Sequence, residues 1–287
     1  MLRRKFVMLM GTAAVAAMSG SMLAGCSSGG DNGGSGDAAA SGDASSQTDP
    51  STLTTFIVGF DQSYPPYGFV GDDGEFTGFD LDLAAEVCSR NGWTLQLEAI
   101  EWDAKDTLLN SGAITCIWNG FTMEGREDSY TFSEPYMLNE QVVVVKADSG
   151  IASLDDLAGK TVITQVDSAA FDVLEGDKAD LKATFANLET IGEYNTAFMQ
   201  LESGAVEAVA CDLSIAQYQM SAKPDVYTQL DEALSSEHYA VGFKKGDTEL
   251  ADTVTQTLKD MVADGTVEEL CDKYAEYGLT YDNWILA

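Results

Sequence analysis

Ile117-Trp-Asn-Gly-Phe-Thr-Met-Glu-Gly-Arg126 is the stretch on which the reading of the fold turns. Just ahead of it, Ala113-Ile-Thr-Cys-Ile117 is short, apolar and β-prone, the pattern of a buried parallel strand. Asn119-Gly120 breaks that run with a turn signal, and Glu124-Gly125-Arg126 follows within about one helical turn of residues. A strand end that opens into a loop is where an α/β sheet presents its ligand groups. This one offers a backbone N–H near Gly120, the Thr122 hydroxyl and the fixed cationic fork of Arg126, the parts that hold a carboxylate. Beyond residue 25, Arg90 and Arg126 are the only arginines.

An internal echo supplies the other half. Leu109-Asn-Ser-Gly-Ala-Ile-Thr-Cys-Ile117 parallels Leu201-Glu-Ser-Gly-Ala-Val-Glu-Ala-Val209, 92 residues later, each reading as helix, Ser-Gly-Ala turn and strand. If the two are equivalent, Gly120 and Asp212 stand just past a strand in separate halves. The expectation is an α/β protein of two lobes whose strand ends face one another across a cleft. Arg126 then lies on one side and Asp212 on the other, the arrangement a zwitterion requires.

Around these anchors, Leu53–Phe60 reads as the first strand, and Tyr64-Pro65-Pro66-Tyr67 as a loop barred from strand geometry. A hairpin turns at Asp73-Gly74; its acidic cluster lacks the alternating ligands and closing Glu of a calcium loop. Asp80 is expected to cap a helix running to Asn91, with Gly92 ending it. Leu95–Ile100 and Ala113–Trp118 read as strands, with a helix from Trp102-Asp103 through Leu109 between them. Thr131–Tyr136 reads as irregular. Gln141–Lys146 is a β-branched run that leaves the first lobe for the second. There, Ser153 caps a short helix Leu154–Leu157, Thr161–Gln165 is a strand, and a helix follows from about Ala170. Phe185–Leu188 and Val206–Ala210 are strands flanking a helix Asn195–Glu202, and Ala240–Phe243 is a strand back to the first lobe. Amphipathic helices Leu250–Ala263 and Val267–Tyr274 close the fold around Gly265.

Residues 1–25 read as an export signal. Arg3, Arg4 and Lys5 precede an apolar, small-residue segment ending Leu23-Ala24-Gly25-Cys26, which matches a bacterial lipobox with Cys26 as the lipidated residue. Residues 26–52 are polar, Gly- and Ser-rich and cannot form a core, so they read as a tether with an r.m.s. reach on the order of 25–30 Å. Loss of the three cations of the signal takes the formal charge from −32 to −35. That acidity argues against nucleic acid as a partner. Cys88, Cys116, Cys211 and Cys271 show no metal-ligand spacing, and His238 is the only histidine, so zinc sites and Ser-His-Asp or Cys-His catalysis lack their residues. Buried thiols are expected, although export would permit a disulfide.

From residue 53 to 276 the chain resembles extracellular solute-binding proteins for polar amino acids, which serve ATP-binding-cassette (ABC) importers. The resemblance is carried by Tyr64-Pro-Pro-Tyr-Gly-Phe69, Gly78-Phe-Asp-Leu-Asp-Leu83, Gly120-Phe-Thr-Met-Glu-Gly-Arg126, Thr131-Phe-Ser-Glu-Pro-Tyr136, Leu154-Asp-Asp-Leu-Ala-Gly-Lys160 and Met261-Val-Ala-Asp-Gly-Thr266, in this order. It implies a two-lobed periplasmic-binding-protein-like fold, with lobe 1 from 53–139 and 240–287 and lobe 2 from 140–239. Hinge segments would lie near 140–146 and 236–243. It further implies that Arg126, the Gly120 N–H and Thr122 take the ligand α-carboxylate, and that Asp212 takes the α-ammonium. Ser168 and Ala169 would complete the carboxylate cage, Tyr64 and Trp102 would flank the ligand side chain, and Asp61 would face its polar end. Two departures stand out. The loop lacks the usual Thr or Ser between Met123 and Glu124, and Asp167-Ser168-Ala169 replaces a Gly-Ser/Thr-Ser/Thr motif. The implied function is a lipid-anchored monomeric receptor on the outer side of the cytoplasmic membrane, without cofactor or catalytic residues, that delivers an amino acid to an ABC permease. Rival readings on the same scaffold are a cyclohexadienyl or arogenate dehydratase-like enzyme and a surface sensor or adhesin.

Overall fold

The computed structural model describes residues 47–287; the signal, Cys26 and most of the tether lie outside the described residues. The chain opens with β1 (Thr55–Phe60), the short strands β2 (Ser63–Tyr64), β3 (Gly68–Val70) and β4 (Phe76–Thr77), and helix α1 (Phe79–Asn91). Next come β5 (Thr94–Ala99), α2 (Lys105–Ser111), β6 (Cys116–Ile117), β7 (Tyr130–Phe132) and β8 (Met137–Lys146). The middle of the chain holds β9 (Thr161–Gln165), α3 (Ala169–Glu175), α4 (Ala179–Lys182), β10 (Asn187–Ile191), α5 (Tyr194–Ser203) and β11 (Ala208–Asp212). Then follow α6 (Leu213–Ala222), β12 (Tyr227–Gln229), β13 (Ser235–Tyr239), β14 (Gly242–Lys244), α7 (Thr248–Ala263) and α8 (Thr266–Lys273).

Two sheets carry the architecture. The first has order β5-β1-β6-β14-β7, with β1 parallel to β5 and β6. The second has order β10-β9-β11-β8-β12, with β13 also paired to β8. A small hairpin sheet, β2-β3-β4, stands beside them. Such mixed sheets flanked by helices make the two-lobed α/β fold that the sequence implies, with helices covering apolar strand faces. Val142 to Val145 of β8 are buried in succession, as expected of a strand covered on both faces. On α7, Leu250, Val254, Leu258 and Met261 form a fully buried stripe at helical spacing. Truncating one of these, Leu258→Ala for instance, removes about 2–5 kcal/mol.

The internal echo is structural. Gly112 ends α2 and Gly204 ends α5 in the same left-handed conformation, both at φ 77°, and each cap N–H bonds back to the last turn of its helix. The strands that follow, β6 and β11, each lie parallel to an earlier strand of their own sheet, β1 and β9.

Three expectations need correction. Asp80 does not cap α1; Gly78 precedes the helix, and the Asp80 carboxylate is fully buried beneath the loop after β6. Thr131–Tyr136 is not wholly irregular, because Tyr130–Phe132 pairs antiparallel with β14, which hides the strand in a short segment. The strand at Ala113–Trp118 is reduced to Cys116–Ile117, since the Ser-Gly-Ala turn occupies its first residues. Cys88, Cys116, Cys211 and Cys271 are buried and unpaired, so the thiols pack as small apolar groups.

Candidate functional site

Segments following β1, β5, β6, β9 and β11 converge on one cavity. All nine residues singled out from the sequence line it. Asp61, Tyr64, Trp102, Gly120, Thr122 and Arg126 come from segments beside the first sheet, and Ser168, Ala169 and Asp212 from segments at strand ends of the second. Asn119 and Gln165 complete the lining, and sequence reasoning missed both. Asn119 lies inside the stretch that reads as a turn, and Gln165 is the amide that ends the strand Thr161–Gln165.

Arg126 makes the cationic pole. Gly125 takes a left-handed φ of 76°, and the Arg126 N–H donates to Met123 O at 3.1 Å, so the loop closes as a tight turn. The guanidinium lies 5.0 Å from the Phe121 ring centroid. Nη1 donates to Thr122 O at 3.3 Å, while Nη2 donates to Asp167 O at 3.3 Å and to Asp172 Oδ2 at 2.8 Å. A guanidinium carries five N–H groups, so donors remain for an anion in the cavity.

The other two donors of this loop are engaged elsewhere. The Gly120 N–H donates to Asp80 Oδ2 at 2.6 Å, and Thr122 Oγ1 donates to Glu237 Oε1 at 2.7 Å. Asp80 also accepts from Tyr136 OH at 2.8 Å, and burial pushes its carboxyl up to about 7. Gly120 has a φ of 56°, and a Cβ there would meet the Tyr64 and Tyr239 rings at 3.0 Å, so the backbone must be glycine for the rings to close the cavity.

Asp212 makes the anionic pole. It stands at the junction of β11 and α6, where an aspartate ordinarily caps the helix, yet its side chain makes no capping bond. Instead Oδ1 accepts from Asn139 Nδ2 at 2.9 Å, Gln141 Nε2 at 2.6 Å and Tyr239 OH at 2.9 Å. The Tyr64 hydroxyl, 3.1 Å from Tyr239 OH, stands beside this group. All three bonds fall on Oδ1, which leaves Oδ2 as the oxygen for a donor in the cavity.

The remaining residues tie the two sides together. Asp61 Oδ1 accepts from Ser63 N at 2.8 Å, and its Oδ2 accepts from Gln165 Nε2 at 2.7 Å across the cleft; burial raises this carboxyl too. Ser168 Oγ caps α3 by accepting from Phe171 N at 3.2 Å, which sets Ala169 at the start of that helix. Asp167 is the single non-glycine residue with positive φ (53°) among the described residues. Its carbonyl accepts from Trp102 Nε1 at 3.2 Å, Lys105 Nζ at 3.4 Å and Arg126 Nη2. Trp102 therefore closes the cavity wall through its ring and bridges the cleft through its indole N–H. Burial, with Arg126 nearby, lowers Lys105.

This two-lobed α/β architecture, with a charged cavity at the strand ends, defines a binding-protein class rather than a particular chemistry. The chain belongs to the bacterial extracellular solute-binding proteins, family 3, which its residues 56–277 match. It is 29% identical over 223 residues to the L-cystine-binding protein TcyJ of Escherichia coli (strain K12), covering 77% of this chain and 82% of that protein. To the L-cystine-binding protein TcyA of Bacillus subtilis (strain 168) it is 28% identical over 256 residues, covering 88% and 91%. A histidine-bound substrate-binding protein of an ABC uptake transporter from Streptococcus pneumoniae superposes with a TM-score of 0.74 at 33% identity, covering 77% of this chain and 92% of that one. Tv2483 bound to L-arginine superposes with a TM-score of 0.76 at 28% identity, covering 83% and 98%. The chain is thus an extracellular solute-binding receptor.

Proposed function

We propose that this receptor captures a free polar amino acid, its α-carboxylate on Arg126 and its α-ammonium on Asp212. The observation that carries the reading is the pairing of opposite charges on one cavity: a guanidinium with free N–H donors and a carboxylate with an unengaged oxygen. Tyr64, Trp102 and Asp61 then bound the ligand side chain, and Ser168 and Ala169 close the carboxylate end. The names of the relatives, which bind cystine, arginine and histidine, support an amino acid as the solute.

In this reading lobe 1 comprises 53–139 and 240–287, and lobe 2 comprises 140–239. The crossing segments near 140–146 and 236–243 are the hinge, and the ligand favours closure because it touches both sides at once. The receptor works as a monomer, held by lipid on Cys26 to the outer side of the cytoplasmic membrane, and hands its amino acid to an ABC permease. It uses no cofactor and no catalysis. A thermal-shift screen of the twenty amino acids and cystine tests the reading. A ligand at 100 times its dissociation constant adds about 2.7 kcal/mol of stability. A screen in which none raises the melting temperature overturns it.

A further inference from the structure

Behind the ammonium pole lies a second buried acid that no local sequence signal marks. Strand pairing places it. On β8, Asn139 and Gln141 are two residues apart and so share a face. Asn139 is registered opposite Glu237 of β13, and Gln141 opposite Asp212 of β11. The two amides are thereby sandwiched between two carboxyl groups on adjacent strands.

The bonding is nearly symmetric. Asn139 Nδ2 is 2.9 Å from Asp212 Oδ1 and 2.8 Å from Glu237 Oε1. Gln141 Nε2 is 2.6 Å from Asp212 Oδ1 and 2.7 Å from Glu237 Oε1. Each NH₂ group has two hydrogens, so each gives one to either acid. Thr122 Oγ1 supplies Glu237 with a third donor, as Tyr239 does for Asp212. Glu237 is only 3% exposed, and among the described residues no cation touches it.

The groups facing Glu237 are few. Asp212 is the charged neighbour across the amides, and Thr122 is the neighbour from the loop after β6. Beyond Thr122, Glu124, Asp172 and Asp177 line an open cavity that Glu237 also borders, with Arg126 paired to Asp172. On its own strand, His238 pairs instead with Glu124. Two carboxylates held on shared donors, with no cation between them, do not both ionise at low energy.

We infer that Glu237 is a positioning residue for the ammonium pole: it holds a proton while the cavity is empty and releases it to solvent when a ligand ammonium docks on Asp212. The inference rests on the amino-acid reading above. An ammonium on Asp212 Oδ2 supplies the positive charge that the acid pair lacks, and this offsets the repulsion that kept Glu237 neutral. The O–H bond of Glu237 breaks, its proton passes to buffer through the open cavity beside Thr122, and the carboxylate keeps its three donors. Burial first, and the Asp212 charge second, push Glu237 up to about 7 in the empty protein, so the exchange falls near neutral pH. Binding then favours the deprotonated form, so affinity is full above pH 7 and falls as pH drops below it. Between pH 8 and pH 6 the loss is about tenfold.

Calorimetry tests this with the tightest binder among the twenty L-amino acids and L-cystine, titrated at pH 7 in phosphate and in Tris. The wild-type binding enthalpy is expected to differ between the buffers by about half the difference between their ionisation heats, and the affinity to fall about tenfold from pH 8 to pH 6. Glu237→Gln keeps the Oε1 acceptor, and both effects are expected to vanish in it, whereas His238→Gln is expected to retain them. Should Glu237→Gln not fold, infrared difference spectra of wild type with ¹³C-labelled glutamate report the same release through loss of the protonated-carboxyl band on binding. Binding with no proton release, or release that persists in Glu237→Gln, overturns the inference and leaves the amino-acid reading intact. Absence of binding by any of the compounds overturns both.

Discussion

Arg126 and Asp212 line the same cavity, and their supports differ in kind. Arg126 sits on a loop and is held by two backbone carbonyls, a ring face and Asp172, whose side chain is 57% exposed. Asp212 ends a central strand and is held by three buried side chains on β8 and β13, with a second acid behind them. The loop pole can turn and re-pair at small expense. The strand pole cannot, because its amides and tyrosine have no water to fall back on. The difference teaches that equal and opposite charges on a ligand need not be equally sensitive to change in the protein.

The sharpest way to break the comparison is to delete each pole. Losing one partner of a buried, hydrogen-bonded charge pair costs about 2–5 kcal/mol, roughly 30- to 5,000-fold in affinity. Asp212→Ala is expected at the upper end of that range by calorimetry and Arg126→Ala at the lower end; the reverse order would refute the asymmetry.

Stability against pH probes the buried acids directly. Asp80 and Glu237 both stand near 7 when folded, against ordinary values of 3.8 and 4.5. A carboxyl raised on folding contributes stability below its unfolded value and loses it as pH rises through the folded one. The ligand-free protein should therefore weaken between about pH 4 and pH 8, by on the order of 3 kcal/mol for each group. Urea unfolding at pH 5 and pH 8 should show that fall, and Glu237→Gln should shrink it. A wild-type protein that gains stability from pH 5 to pH 8 would contradict this.

Tyr239→Phe removes one of the three donors to Asp212 while keeping the ring. A hydrogen bond to a charged group is worth about 1.5–3 kcal/mol, so affinity should drop at least about tenfold in a calorimetric titration. The smallest effect belongs to Asp172→Asn on the loop side. An exposed pair contributes about 0.2–1 kcal/mol, so affinity should change less than about fivefold, and less still in high salt.

Much of this contrast is legible in the sequence, and the illegible part has a physical reason. The Asn119-Gly120 turn, Arg126 and the repeated Ser-Gly-Ala exits are local signals, set by residues adjacent in the chain. They place β6, β11 and both poles. The nine site residues come together as one cavity lining, although the two donors assigned to the carboxylate at Gly120 and Thr122 are engaged with Asp80 and Glu237. Glu237 itself escapes notice because Ser235–Tyr239 carries two serines, a glutamate and a histidine, with no apolar alternation to mark a buried strand. Only its pairing with β8, about a hundred residues earlier, buries it. Helix α6 is hidden for a related reason. Its expected cap, Asp212, points away to the site, and its residues form no clear apolar stripe. Asp80 reads as a cap for the same local reason, while a contact with Gly120 forty residues on decides its role.

A zwitterion held at both ends is the central claim, and the ligand itself offers the most direct test. Calorimetry of the wild-type protein should compare the tightest-binding amino acid with its decarboxylated and its deaminated analogue. Each analogue should bind at least about 30-fold more weakly, with the larger loss for the one lacking the ammonium. Either analogue binding within about threefold of the parent amino acid would contradict a site built on two opposite poles.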